Sequence, residues 1–284
     1  MLRDALMTLM IISLTALSFV SFATADETRL LVLAGAATRP VLEEAAPRIE
    51  QQLGIKLVLD FGGSGALLSR LELTQRGDIY LPASDDYIDM ASARGLIDPE
   101  SVVSYAWLRP ALLVRRGNPR GIHALSDLSR VRAAIGEPRT VCIGLFADEI
   151  LTRANLRNEL MPRLGRARSV ASLGNLLLVG SVDAIIAWRV LAAWYPEQIE
   201  VVELPAELIP RLARIPGTVT SFSTNATAAR RVLTWLASDA GQELWRRHGY
   251  FTGEGAARDT HDEQKEGVQE KNTQGKDLQR NETR

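Results

Sequence analysis

The feature that most limits the fold is a unit that recurs along the chain: a short apolar run, a turn of small residues, then a longer stretch with apolar residues at helical spacing. Residues 29–34 (RLLVLA) read as a buried strand and Gly35-Ala36-Ala37-Thr38-Arg39 as a turn. Pro40 then opens a helix, at a position where its missing N–H has no intrahelical partner to lose. Val41, Leu42, Ala45, Ala46, Ile49 and Leu53 fall on one helical face, which stops at Gly54. The unit repeats as a strand at 56–61, the turn Gly62-Gly63-Ser64-Gly65 and a helix bearing Leu67, Leu68 and Leu71. A third copy places DIYL at 78–81 before a helix at 86–93. Such alternation, with strands apolar throughout, predicts an α/β fold of parallel sheet with helices on both faces.

The pattern then restarts. An apolar run at 106–114 ends in Gly117-Asn118-Pro119, and strands at 133–137, 182–188 and 199–204 enclose helices at 145–155 and 173–179. After Pro216, residues 218–223 read as a strand and 226–238 and 239–248 as two helices. The restart predicts two lobes, one of residues 26–107 with 218–252 and one of residues 108–217. The crossings are expected near 106–109 and 213–222.

Four turns share one design, with two assigned to each lobe: Ala36-Ala37-Thr38, Gly63-Ser64-Gly65, Cys142-Ile143-Gly144 and Val170-Ala171-Ser172. Ligands of open α/β sheets sit beyond the carboxyl ends of the strands, where such turns lie. A helix start presents unpaired N–H groups and partial positive charge, so several aimed at one point make an anion site. Any single turn of this kind needs no ligand, since small residues suit tight βα connections. Four in two lobes point to a cleft.

Composition narrows the class. A net charge of −1 supplies no basic field for nucleic acid. One cysteine, Cys142, forms no internal disulfide, and three histidines with it lack metal-ligand spacing, so neither a metal nor a cofactor is expected. At the start, Arg3, an apolar stretch at 5–22 and Ala23-Thr24-Ala25 read as a signal peptide cleaved after Ala25. A membrane anchor is the competing reading, but Ser13, Thr15, Ser18 and Ser21 dilute the apolar run. Residues 253–284 are polar and charged and read as a disordered tail.

The ordered stretches Phe61-Gly62-Gly63-Ser64-Gly65-Ala66-Leu67, Gly77-Asp78-Ile79-Tyr80-Leu81-Pro82-Ala83-Ser84-Asp85, Ile135-Gly136-Glu137-Pro138 and Arg247-His248-Gly249-Tyr250-Phe251 resemble the periplasmic molybdate-binding proteins of ABC transporters. The resemblance spans about residues 30–252. It implies a two-lobed periplasmic binding protein fold of type II, each lobe a mostly parallel sheet flanked by helices. It also implies a non-enzymatic monomer in the periplasm that closes on molybdate or tungstate and delivers it to a membrane permease. In that family two serines, backbone N–H groups and a tyrosine hydroxyl hold the anion. Carried over singly, the second serine falls on Ser64 and the two backbone donors of the second lobe near Ile143 and Val170. The first serine falls on Ala37, with Thr38 beside it as a substitute hydroxyl. The tyrosine falls on Trp188, and a usual proline on Cys142. These departures leave sulfate or another small oxyanion open as ligand.

Other residues carry simpler expectations. Arg39 and Arg189 read as surface charges near the turns, Asp78 and Asp85 as loop braces, and Trp194, Tyr195, Trp235 and Trp245 as packing. A different class is a serine hydrolase: Gly62-Gly63-Ser64-Gly65-Ala66 is a degraded nucleophile elbow, with Asp239 and His248 in the required order. Its second glycine is alanine and its serine follows only the second strand. A regulator's ligand-sensing domain shares the bilobal fold, but the signal peptide and the lack of a DNA-binding segment count against it.

Overall fold

The computed structural model describes residues 28–253, so the expected signal peptide and tail lie outside the described residues. The chain begins with β1 (Thr28–Gly35), α1 (Arg39–Leu53), β2 (Ile55–Gly62), α2 (Ser64–Thr74), β3 (Ile79–Leu81), α3 (Asp85–Ala93) and β4 (Val103–Leu108). It crosses at Arg109 into β5 (Pro110–Arg115), β6 (Ala133–Gly136), α4 (Cys142–Arg153), α5 (Arg157–Leu160), β7 (Gly165–Ala167), α6 (Val170–Leu178), β8 (Ala184–Trp188), α7 (Val190–Trp194) and β9 (Ile199–Val202). It returns through β10 (Ala213–Val219), α8 (Ala226–Ala237) and α9 (Asp239–Arg247).

Two five-stranded sheets result, ordered β2-β1-β3-β10-β4 and β7-β6-β8-β5-β9. In each sheet four strands run one way and one runs against them, so two ladders are parallel and two antiparallel. The antiparallel strands are β10 and β5, the two through which the chain re-enters a sheet from the other lobe. A strand arriving from the opposite lobe runs against its neighbours, yet it is buried on both faces and so reads like a parallel one. The chain rejoins the first sheet at Ala213, at the start of the crossing expected over 213–222 and ahead of the strand expected at 218–223. Pro216 reads in the sequence as a stop before that strand. It lies inside β10 at a register shift between Ile215 and Pro216, where a ladder N–H is not required.

Local chemistry explains the elements. Pro40 sits in the first turn of α1, and Gly54 closes that helix in the left-handed conformation (φ 67°), its N–H donating to Glu50 O at 2.9 Å. Pro47 lies inside α1 on its exposed side, so the carbonyl it leaves unpaired faces water. In β5, Ala111 and Leu113 join the apolar cluster continuous with the first lobe, while Leu112 and Val114 join a separate cluster on the other face. β8 divides likewise, Ile185 and Ala187 against Ala184 and Ile186. This is the two-residue period of a strand covered on both faces.

The two lobes touch. Thr140 O of the second lobe accepts from Gly65 N (3.0 Å) and Ala66 N (3.3 Å) at the start of α2. Arg211, on the return segment, is paired with Asp86 of the first lobe (2.8 Å) and Glu149 of the second (2.6 Å).

Candidate functional site between the lobes

Each lobe places its small-residue turns at the carboxyl ends of its strands, and the two sets face each other across a small, partly open cavity. Gly35, Ala36 and Ala37 follow β1, Gly62, Gly63 and Ser64 follow β2, and Ala83 follows β3. From the second lobe come Val141 and Cys142 after β6, Val170 after β7 and Trp188 at the end of β8. The empty space amounts to about 200 Å³, of which about 10 Å³ can take the centre of a water-sized sphere.

Three helices start at this cavity. α4 and α6 begin three residues earlier than the sequence suggested, at Cys142 and Val170 instead of Leu145 and Leu173. For α6 the cause is local. Ser169 Oγ accepts from Ser172 N (3.1 Å) and Ser172 Oγ accepts from Ser169 N (3.0 Å), which makes Ser169 the cap. Among the described residues the N–H groups of Ser64, Cys142, Ile143, Val170 and Ala171 have no backbone acceptor. First-turn donors of this kind, at the positive ends of three helices, favour an anion.

Side chains complete the donor set. Ser64 is buried, and its Oγ accepts from Ala83 N (3.1 Å), so the hydroxyl hydrogen is left to donate elsewhere. Trp188 is fully buried against Phe146, edge to face with centroids 5.1 Å apart, and its Nε1 has no partner. Leaving a buried donor unpaired costs about 1–3 kcal/mol. Cys142 donates across the lobes to Ala83 O (3.5 Å), and burial pushes its thiol far above the usual range, so it stays neutral.

The structure thus brings together Ala37, Ser64, Val170 and Trp188 on the cavity wall, and one expectation changes. Thr38 does not line the cavity: its Oγ1 donates to Gly35 O (2.9 Å), so it cannot substitute for the hydroxyl missing at Ala37. Ile143, expected as a backbone donor, has an N–H without a backbone acceptor and a side chain in the core. Asp78 does brace loops, its carboxylate accepting from Leu31 N (2.8 Å) and Ser223 Oγ (2.6 Å). Arg189 is held by Glu203 (2.8 Å).

Two residues missed from sequence hold the turns from behind. Tyr80 donates to Ser64 O (2.9 Å) and Tyr250 to Ala37 O. Burial raises both phenol pKa values, which keeps them protonated donors. Tyr80 stood in the DIYL strand and Tyr250 in the Arg247–Phe251 stretch, but nothing local shows that either reaches a turn. The hydrolase arrangement is absent among the described residues. Ser64 is hydrogen-bonded to no histidine, and His248 Nε2 is paired with Glu44 at 2.8 Å.

Relatives agree with this architecture. The chain is 23% identical over 236 residues to the molybdate-binding protein ModA of Escherichia coli strain K12, covering 80% of this chain and 91% of that one. Among solved structures, the periplasmic molybdate-binding protein of Azotobacter vinelandii superposes with a TM-score of 0.70 at 19% identity, over 79% of this chain and all of the other. The sulfate-binding protein SubI of Mycobacterium tuberculosis H37Rv does so with 0.69 at 17% identity, over 83% and 91%. The fold is therefore that of the two-lobed type II periplasmic binding proteins. The family model for bacterial extracellular solute-binding proteins matches residues 30–251, and the chain belongs to that family.

Proposed function

We propose that the protein is the exported binding component of an ABC transporter and holds one small tetrahedral oxyanion, molybdate or tungstate first, in the cavity between its lobes. The observation that carries this reading is the convergence of three helix starts and the unpaired Trp188 N–H on one small cleft between the lobes. Such a site holds a divalent oxyanion with neutral donors, and hydrogen bonds to charge are worth about 1.5–3 kcal/mol each. The molybdate-binding relatives support the choice of ion, and the sulfate-binding neighbour keeps sulfate as the second candidate. A tetrahedral ion is larger than one water, so loading requires the contact of α2 with Thr140 to ease apart slightly. Delivery to a permease and a monomeric state in the periplasm belong to the same proposal.

Isothermal titration of the mature protein with molybdate, tungstate, sulfate and phosphate tests it. One ion per chain is expected, and folded protein that takes up none of the four overturns the reading. Ser64→Ala is expected to weaken binding by about 1–3 kcal/mol, the loss of one hydrogen bond to an anion, and to lower the melting temperature because Ala83 N loses its buried acceptor, with the fold retained. Ala37→Ser, which restores a hydroxyl on the cavity wall, is expected to strengthen binding or reorder the preference among the four ions. Indifference to both changes places the ligand elsewhere.

A further inference from the structure

Helix α4 links the anion cavity to a contact on its far side. Its first turn begins at the cavity, where Cys142 and Ile143 leave N–H groups without backbone acceptors. One turn further on, Phe146 and Glu149 are three residues apart and so share a face. Phe146 is fully buried, its ring edge to face with Trp188. Whatever holds that face of α4 therefore steadies two second-lobe donor groups at once, the helix start and the indole N–H.

The residue that holds it is Arg211. It stands two positions before β10, where the chain rejoins the first sheet. Its fork is divided between the lobes: one terminal nitrogen donates to Asp86 of α3 (2.8 Å) and the other to Glu149 of α4 (2.6 Å). The same guanidinium lies 4.4 Å over the Phe146 ring. Next to Asp86, Asp85 is paired with Arg214 of β10 (2.7 Å), which ties the start of α3 to the returning strand. An isolated surface ion pair contributes little, because two long side chains lose freedom to form it. Here one half-buried guanidinium meets two carboxylates and a ring face, so ordering a single side chain secures three contacts. Two of the three, to Glu149 and Phe146, reach into the second lobe and are lost when the lobes part.

We propose that Arg211 is a positioning residue for the oxyanion site, the latch that keeps the lobes shut over the ion by gripping α4 from behind. The assignment rests on the oxyanion reading and places the effect on release, not capture. An open protein meets the ion with the latch already undone, whereas a loaded one must break it to let go.

The chain carries its own reporter for the test. Cys142 is the only cysteine, and it is buried at the lobe interface with its thiol on Ala83 O across the cleft (3.5 Å). Labelling by N-ethylmaleimide therefore reads opening and needs no ligand. Arg211→Met keeps an apolar stem over Phe146 and removes the charge. In the full-length mature protein it is expected to speed labelling about tenfold and to speed anion dissociation by a similar factor, with the association rate and the urea midpoint close to wild type. Glu149→Gln should act in the same direction, and adding it to Arg211→Met should bring little further change, since the two remove one contact. Arg211→Lys should restore part of the protection. Wild-type labelling and dissociation in folded Arg211→Met overturn the proposal. So does an effect confined to association, or a fall in urea midpoint large enough to account for the faster labelling, which would make Arg211 a support of the fold. Failure of all four anions to bind bears on the oxyanion reading, while the labelling rates still decide whether Arg211 holds the lobes shut.

Discussion

Asp183→Ala is expected to cost the second lobe about 3 kcal/mol of stability, read as a lowered midpoint in urea unfolding with unchanged slope. The carboxylate is 3% exposed and accepts from Arg132 through its backbone N (3.2 Å), Nε (3.2 Å) and a terminal N (3.1 Å). Arg120 Nε (3.3 Å) and Arg115 (3.7 Å) complete the ring. Removing one partner of a buried charged pair costs about 3–5 kcal/mol where the other is stranded without water. Here the three arginines remain 38–58% exposed and can turn to solvent, which holds the loss to the lower end. The arginine hydrogen bonds hold the Asp183 carboxyl down at about 2, against an ordinary 3.8. A depressed folded pKa contributes stability that is complete above the unfolded value and fades as pH falls through the folded one. That depression corresponds to roughly 2–3 kcal/mol. The gap in stability between wild type and Asp183→Asn should therefore be constant above about pH 5 and narrow steadily from pH 4 toward pH 2. A gap that persists unchanged at pH 2 would show that packing, not ionisation, makes Asp183 important.

The second large effect is expected at Gly63. A Cβ built there lies 2.4 Å from Thr140 O, 3.0 Å from a Val141 methyl and 3.1 Å from Arg168 O, all in the opposite lobe. Gly63→Val therefore leaves each lobe able to fold but forces the two apart. That separation breaks the bonds from Gly65 N and Ala66 N to Thr140 O and withdraws the α4 and α6 donors from those of α2. Two backbone bonds with the strain of overpacking amount to about 2–4 kcal/mol, or roughly a thirty- to thousandfold loss of oxyanion affinity. Small-angle scattering should report a more open particle, while circular dichroism stays that of wild type. Tight binding by the valine variant would show that closure at this edge is not coupled to the ligand.

Much of this was legible in the sequence because two signals coincide in each unit. The apolar run ends and helical spacing begins on either side of a turn built from residues without bulky side chains, so the turns at Ala37, Ser64, Cys142 and Val170 could be placed to within a few residues. What failed to show was whatever depends on the destination of the chain. The apolar run at 106–114 showed a crossing near 106–109 but not that the strands on either side of Arg109, β4 and β5, belong to different sheets. β7, three residues of Gly-Arg-Ala, has too little apolar character to register as a strand. Thr38 looked like a spare hydroxyl because its bond to Gly35 O depends on the backbone curling back over itself. Tyr80, Tyr250 and Thr140 act on turns 16, 213 and 74–75 positions away, a separation no local pattern carries.

The strand order has a consequence for how the molecule comes into being. The second lobe is drawn from one uninterrupted stretch, from Pro110 to Val202, and can complete its sheet as soon as that stretch is available. The first lobe cannot. Until β10 arrives, β3 is an outer strand whose three residues, Ile79, Tyr80 and Leu81, have no cover along one edge, and β4 has no neighbour at all. Chains are made amino end first, and an unpaired apolar edge is the template on which strands of other molecules add. The half-made first lobe is thus the aggregation-prone species in biosynthesis. A chain halted just after β9 should accumulate as a folded second lobe trailing an adhesive amino-terminal half.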